Sequence, residues 1–208
     1  MIEKISNVVV NYMLKHGAIS EAEENKEYYQ YGVEITVSSI INVILILCIG
    51  LIFKSFSESV IFLFLFIPIR QYTGGYHANT YFKCNLTFAV SFSLLLIFYH
   101  FTNRILTSYF AILIVYVCVL TIIFTCPIEN PNKPIPQEKR KGHKIVAVTL
   151  GTIYGIIGVV LVVFANKYGA LILYTLLLVT VLILASLIQK GRCKYEGNEN
   201  GNQNCNHH

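Results

Sequence analysis

Residues 106–126 read LTSYFAILIVYVCVLTIIFTC, 21 residues without one Asp, Glu, Lys or Arg. A helix needs about 20 apolar residues to cross a hydrocarbon core of about 30 Å, so this stretch has the length and composition of a membrane span. Five further windows carry no charge: 36–53, 59–69, 86–101, 145–165 and 170–188. The window 59–69 is short, and Pro68 near its end restricts how a helix continues. We read 36–53 and 55–69 as a helical hairpin joined at Lys54 to Ser57, its second arm short, tilted or partly buried among other helices. The expected fold is all-α: a polytopic membrane protein with six transmembrane helices and an N-terminal amphipathic helical segment on the cytoplasmic side.

The composition agrees. The 208 residues are 55% hydrophobic and 13% charged, against roughly 25% charged in soluble domains. All 11 acidic residues are glutamates. A chain without aspartate has no Ser-His-Asp triad and no aspartyl dyad. It also lacks tryptophan, so an interfacial aromatic belt falls to its 14 tyrosines.

Sidedness follows from the bases. With six spans and a cytoplasmic N-terminus, 13 of the 16 Lys and Arg fall inside, leaving Lys54, Arg104 and Lys167 outside. This excess places both termini in the cytoplasm. Residues 1–35 are expected to form cytoplasmic or interfacial helices. Ile2, Ile5, Val9, Tyr12 and Met13 share one face of the first helix, which ends near Gly17, and Ser20 with Glu23 forms a capping box for the second. The first helix reads as a surface anchor more than a substrate groove. Residues 36–190 form the membrane domain, with polar segments at 70–85 and 127–144 on the cytoplasmic side. Residues 191–208, rich in Asn and Gly, are expected to be a disordered tail.

Cys48 and Cys118 lie within uncharged windows and read as apolar filler, whereas Cys126 and Cys193 border spans on the cytoplasmic side and Cys205 is in the tail. There is no CxxC pair or clustered His/Cys set, so neither a metal site nor a cofactor is expected. Cys84 has different surroundings. It ends a short polar segment that also holds Arg70, His77 and Lys83, and nearby cations favour the nucleophilic thiolate form. His77 is placed to activate Cys84 and return the proton to a leaving amine. Seven residues in one straight helix would hold the two about 10 Å apart, so contact requires a bend, for which Gly74-Gly75 offers a place. The alternative is a polar connection whose His and Cys are incidental.

The run Arg70 to Gly75, the His77-to-Cys84 spacing, the loop Glu129-Asn130-Pro131-Asn132-Lys133-Pro134 with the basic run Lys139-Arg140-Lys141, and the six-span layout together resemble the AgrB family, over roughly residues 1–190. These are membrane-embedded cysteine endopeptidases of Gram-positive bacterial quorum sensing. The resemblance implies that Cys84 is the nucleophile and His77 its base, with Arg70 and Gly75 also important. It implies an AgrD-type precursor as substrate, cut before its acidic C-terminal tail. The upstream part is held as an acyl-thioester and closes to a thiolactone or lactone when the precursor's own Cys or Ser attacks.

Several roles stay open in the sequence. Oxyanion donors are backbone N–H groups near Cys84, or the side chains of Arg70, Gln71 or Asn85. A third group orienting His77 is a Glu, an amide, a Tyr or a carbonyl, with Glu34 and Gln71 candidates by location. The basic residues of 139–144 serve topology or anionic-lipid contact, or bind the substrate tail. Gly151, Gly155 and Gly158 form a small-xxx-small pattern, expected either to pack within the chain or to make a homodimer, and the resemblance favours the dimer. A transporter or peptide exporter without covalent chemistry is the main alternative function. It is disfavoured because charged residues avoid all six windows and only His100 titrates near one. A docking scaffold is the third.

Overall fold

The computed structural model describes residues 2–15, 23–74, 80–102, 106, 108–128 and 137–199. The described residues form seven α-helices: α1 (Ile2–Lys15), α2 (Glu23–Ile52), α3 (Phe56–Thr73), α4 (Tyr81–Thr102), α5 (Ser108–Thr125), α6 (Gln137–Val163) and α7 (Lys167–Glu199). Five stretches are long and apolar enough to cross a membrane: Tyr29–Ile52, Tyr81–Thr102, Ser108–Thr125, Glu138–Val163 and Lys167–Gln189. α3 is not among them. Its 18 residues reach about 27 Å, but polar residues at both ends dilute its hydropathy. It nevertheless continues five residues past Pro68, within a packed bundle of the kind that accommodates a helix proline.

α7 is the central element. Its crossing stretch is 61% buried, against 17–28% for the others, and it packs on α3, α4, α5 and α6. Residues Ala170 to Thr175 are buried consecutively, as in a helix apolar on every side. Across the bundle, Phe62 and Phe66 of α3 meet Phe88 and Phe92 of α4, with Phe62 and Phe92 ring centres 4.6 Å apart. Apolar side chains such as Ile44, Phe64, Phe98 and Phe110 point outward, the pattern of a bundle solvated by lipid.

Two ends of the bundle are distinct. At one, Lys167 Nζ meets Glu58 Oε1 at 3.2 Å, Tyr99 donates its hydroxyl hydrogen to the Lys167 carbonyl, and Ser55 Oγ lies 3.4 Å from His100 Nε2. This joins the α2–α3 turn, the end of α4 and the α6–α7 turn. At the other end meet the close of α3, the start of α4, the residues after α5 and the first turns of α6.

Several expectations change in detail. The second cytoplasmic helix and the first span are one continuous helix, α2. Its proposed cap Ser20, and Gly17, lie outside the described residues. α1 turns Ser6 and Val10 onto α2, Ser6 donating to the Gln30 carbonyl at 3.1 Å, while Val9 and Tyr12 point outward. The face that meets α2 is thus a different one from the apolar face expected to lie on the membrane surface, and on it the buried Ser6 hydroxyl has a backbone partner. α7 runs to Glu199, so the first part of the tail expected to be disordered is helical. Extending a formed helix fixes one residue at a time without a new nucleus.

The glycine pattern is consumed inside the chain. A Cβ on Gly155 would stand 2.5 Å from Val115 of α5, one on Gly158 2.6 Å from Leu173 of α7, and one on Gly151 3.0 Å from Ile122 of α5. All three glycines are buried, which is the packing within the chain that the pattern allowed. Their smallness serves α5 and α7.

Candidate active site at the close of α3 and the start of α4

α3 ends where the chain must turn. Gly74 adopts φ 70°, its N–H donates to the Arg70 carbonyl at 3.1 Å, and its own carbonyl accepts from Thr73 Oγ1 at 3.1 Å and from the Arg70 guanidinium. A left-handed φ suits glycine, and a Cβ here would lie 2.2 Å from the Ile128 carbonyl oxygen. The chain after α5 thus lies directly on this turn, and the Ile128 N–H donates to the Thr73 carbonyl at 3.0 Å.

α4 begins just beyond. Thr80 Oγ1 accepts from the Lys83 N–H at 3.3 Å in the manner of an N-cap, and the Cys84 N–H closes the first helical bond onto the Thr80 carbonyl at 3.0 Å. Cys84 is half-buried in the first turn of a helix whose N–H groups present partial positive charge. Arg70 adds a full charge. Burial pushes its guanidinium down to about 10, while the thiols of Cys84 and Cys126, both within Coulombic reach, act in the opposite direction. It stays protonated at neutral pH.

Cys126 is a member of this cluster that the sequence did not single out. It is 5% exposed, and burial pushes its thiol up, against the opposing effects of Thr125, Lys144 and Arg70. Its only advance signal was its place bordering a span on the same side as 70–85. An open cleft of about 300 Å³ lies beside it, lined in part by Arg140, Lys141 and Lys144. A second imidazole also approaches: His143 of α6 makes an edge contact with Tyr72 at 5.4 Å between ring centres.

The other sequence-derived candidates separate. His77 and Gly75 lie outside the described residues. Gln71 is exposed on the last turns of α3. Asn85 is 7% exposed and its Oδ1 accepts from Ser38 Oγ at 2.8 Å, which turns the side chain toward α2. Glu34 accepts from the Tyr81 hydroxyl at 2.8 Å and from Gln30 Nε2 at 3.3 Å, so both its oxygens are engaged at the α2–α4 seam.

Comparison with known proteins bears on this arrangement. The model of the family Accessory gene regulator B matches residues 6–184, which include the whole cluster. The chain belongs to the AgrB family. It is 29% identical over 175 residues to AgrB-like protein 2 of Clostridium perfringens strain 13, covering 81% of each chain. It is 26% identical over 191 residues to an AgrB-like protein of C. perfringens strain SM101, covering 89% of this chain and 88% of the relative. A third AgrB-like relative, from Clostridium beijerinckii, is 26% identical over 142 residues, covering 66% of this chain and 68% of the relative. No solved structure matches the chain.

Proposed function

We propose that the protein is an integral-membrane cysteine endopeptidase that processes an AgrD-type quorum-sensing precursor, with Cys84 as nucleophile and His77 as base. What carries this reading, given the family, is Cys84 in the first turn of α4 within Coulombic reach of a half-buried, charged Arg70. His77 is separated from the Thr80 cap by two residues.

The chemistry proceeds in two transfers. His77 takes the Cys84 proton, and the thiolate attacks the carbonyl carbon before the precursor's acidic tail. As the tetrahedral centre collapses, the C–N bond breaks and the imidazolium proton passes to the departing amine. The upstream peptide remains as an acyl-thioester. The precursor's own Cys or Ser then attacks that carbonyl as His77 takes its proton, expels Cys84 as a thiolate that recovers the proton, and closes a thiolactone or lactone without consuming water. Thioester-to-thioester exchange is nearly balanced, so the ring forms in preference to hydrolysis when the site concentrates the internal nucleophile and restricts water. Cys84 opens a helix apolar enough to cross a membrane, which favours that restriction.

Arg70 and Gly75 support the site, Arg70 by holding positive charge and by closing the Gly74 turn. We place both termini and the site in the cytoplasm, with α3 counted as a sixth crossing because it returns the chain between the two ends of the bundle. Co-expression with a candidate precursor, followed by mass spectrometry, tests the reading. Cys84→Ser and His77→Ala should each abolish tail release while the protein still inserts in the membrane. Unchanged cleavage by Cys84→Ala would overturn it.

A further inference from the structure

Tyr81 and Asn85 are one helical turn apart, and both reach from α4 to α2: Tyr81 to Glu34 at 2.8 Å and Asn85 to Ser38 at 2.8 Å. Cys84 lies between them in sequence but projects about 100° around the helix from Asn85. Two pins on one face fix the rotation of α4 about its axis. That rotation sets where the Cys84 sulfur stands relative to Arg70.

We propose that Ser38 is a positioning residue for Cys84, acting through Asn85, with Glu34 acting in parallel through Tyr81. The proposal rests on the reading of Cys84 as nucleophile. Ser38 and Asn85 are each 7% exposed, and the hydrogen bond between them is buried. Apolar contacts between two helices tolerate small rotations, whereas a buried hydrogen bond loses its partner. Cα atoms lie about 2.3 Å from a helix axis, so a turn of about 20° moves the Cys84 backbone by roughly 0.8 Å and its sulfur further. Displacements near 1 Å at a reacting group reduce turnover by about 100-fold. Ser38 and Glu34 stand four residues apart on one face of α2, so both pins come from one rigid element.

The test uses the full chain in phospholipid vesicles with a precursor peptide. Ser38→Ala should lower kcat roughly 10- to 100-fold with KM within about twofold. Ser38→Thr, which keeps the hydroxyl, should restore kcat to within about threefold of the parent. A second readout needs no substrate: the rate at which iodoacetamide alkylates Cys84 in a chain whose other cysteines are replaced. Arg70→Gln should slow this alkylation in the parent and have little further effect in Ser38→Ala, where the sulfur has already left Arg70. Such non-additivity between residues on separate helices is the signature of positioning. If Ser38→Ala fails to fold, Tyr81→Phe enters the same cycle. Strictly additive alkylation effects, with kcat unchanged in a folded Ser38→Ala or Tyr81→Phe chain, overturn the proposal. Continued cleavage by Cys84→Ala instead overturns the endopeptidase reading, and the alkylation cycle still reports on the pins.

Discussion

The Ile128 N–H donates to the Thr73 carbonyl at 3.0 Å, which fixes the chain after α5 against the end of α3. Gly74 is the residue over which they meet, at φ 70° and with no room for a Cβ. Gly74→Ala should therefore cost about 1–3 kcal/mol from backbone strain alone, before the clash with Ile128 is counted. We expect a lower unfolding midpoint in detergent and a loss of precursor cleavage larger than the stability change explains. Wild-type melting and cleavage in Gly74→Ala would show that 126–128 does not dock on this turn.

Two thiols and two imidazoles can be separated by mutation. Cys126 is almost fully buried and Cys84 is not. Replacing Cys126 by Ala leaves the proposed nucleophile Cys84 in place, so cleavage should fall only severalfold, whereas Cys84→Ala should be inactive. In parallel, His143→Ala removes an edge contact with Tyr72 and should weaken activity moderately, in contrast to complete loss in His77→Ala. An inactive Cys126→Ala alongside an active Cys84→Ala would exchange the roles of the two cysteines.

The sequence shows the membrane class because charge is excluded from lipid, and each uncharged window lies mostly within one of the helices α2 to α7. Residues sharing one polar segment, such as Arg70 and Cys84, were readable together because they are close along the chain. Cys126 and Lys144 were not readable as their neighbours, because that proximity depends on how α5 and α6 pack on α3. The Ser38–Asn85 bond spans 47 positions, and no local periodicity reports it. The glycine pattern marked close packing correctly but not its partner, since α5, α7 and a second chain would all select the same small residues.

Glycine substitutions give a test of that packing with opposite signs. Gly155→Ala places a methyl 2.5 Å from Val115 and should destabilise the protein by about 1–3 kcal/mol. Gly32→Ala, in exposed α2 with nothing within 4 Å of its Cβ, should stabilise by up to about 1 kcal/mol through helix propensity. Thermal unfolding of both variants in the same detergent reads the contrast. A destabilising Gly32→Ala, or a neutral Gly155→Ala, would mean that these faces are exchanged.

The charge on Arg70 makes a pH prediction. Its guanidinium is pushed down by burial to about 10, so the charge beside Cys84 is complete at neutral pH and is lost as pH rises through that value. Its folded pKa lies below the unfolded one, so the unfolded chain binds more protons here above about pH 10, and this group favours folding as pH rises. A change of reactivity in that range would therefore not come from unfolding driven by Arg70. Alkylation of Cys84 should be faster in the parent chain than in Arg70→Gln at neutral pH, and the two rates should converge above about pH 10, where the parent's guanidinium has lost its charge. Parallel profiles for the two chains would show that Arg70 shapes the Gly74 turn without acting on the Cys84 sulfur.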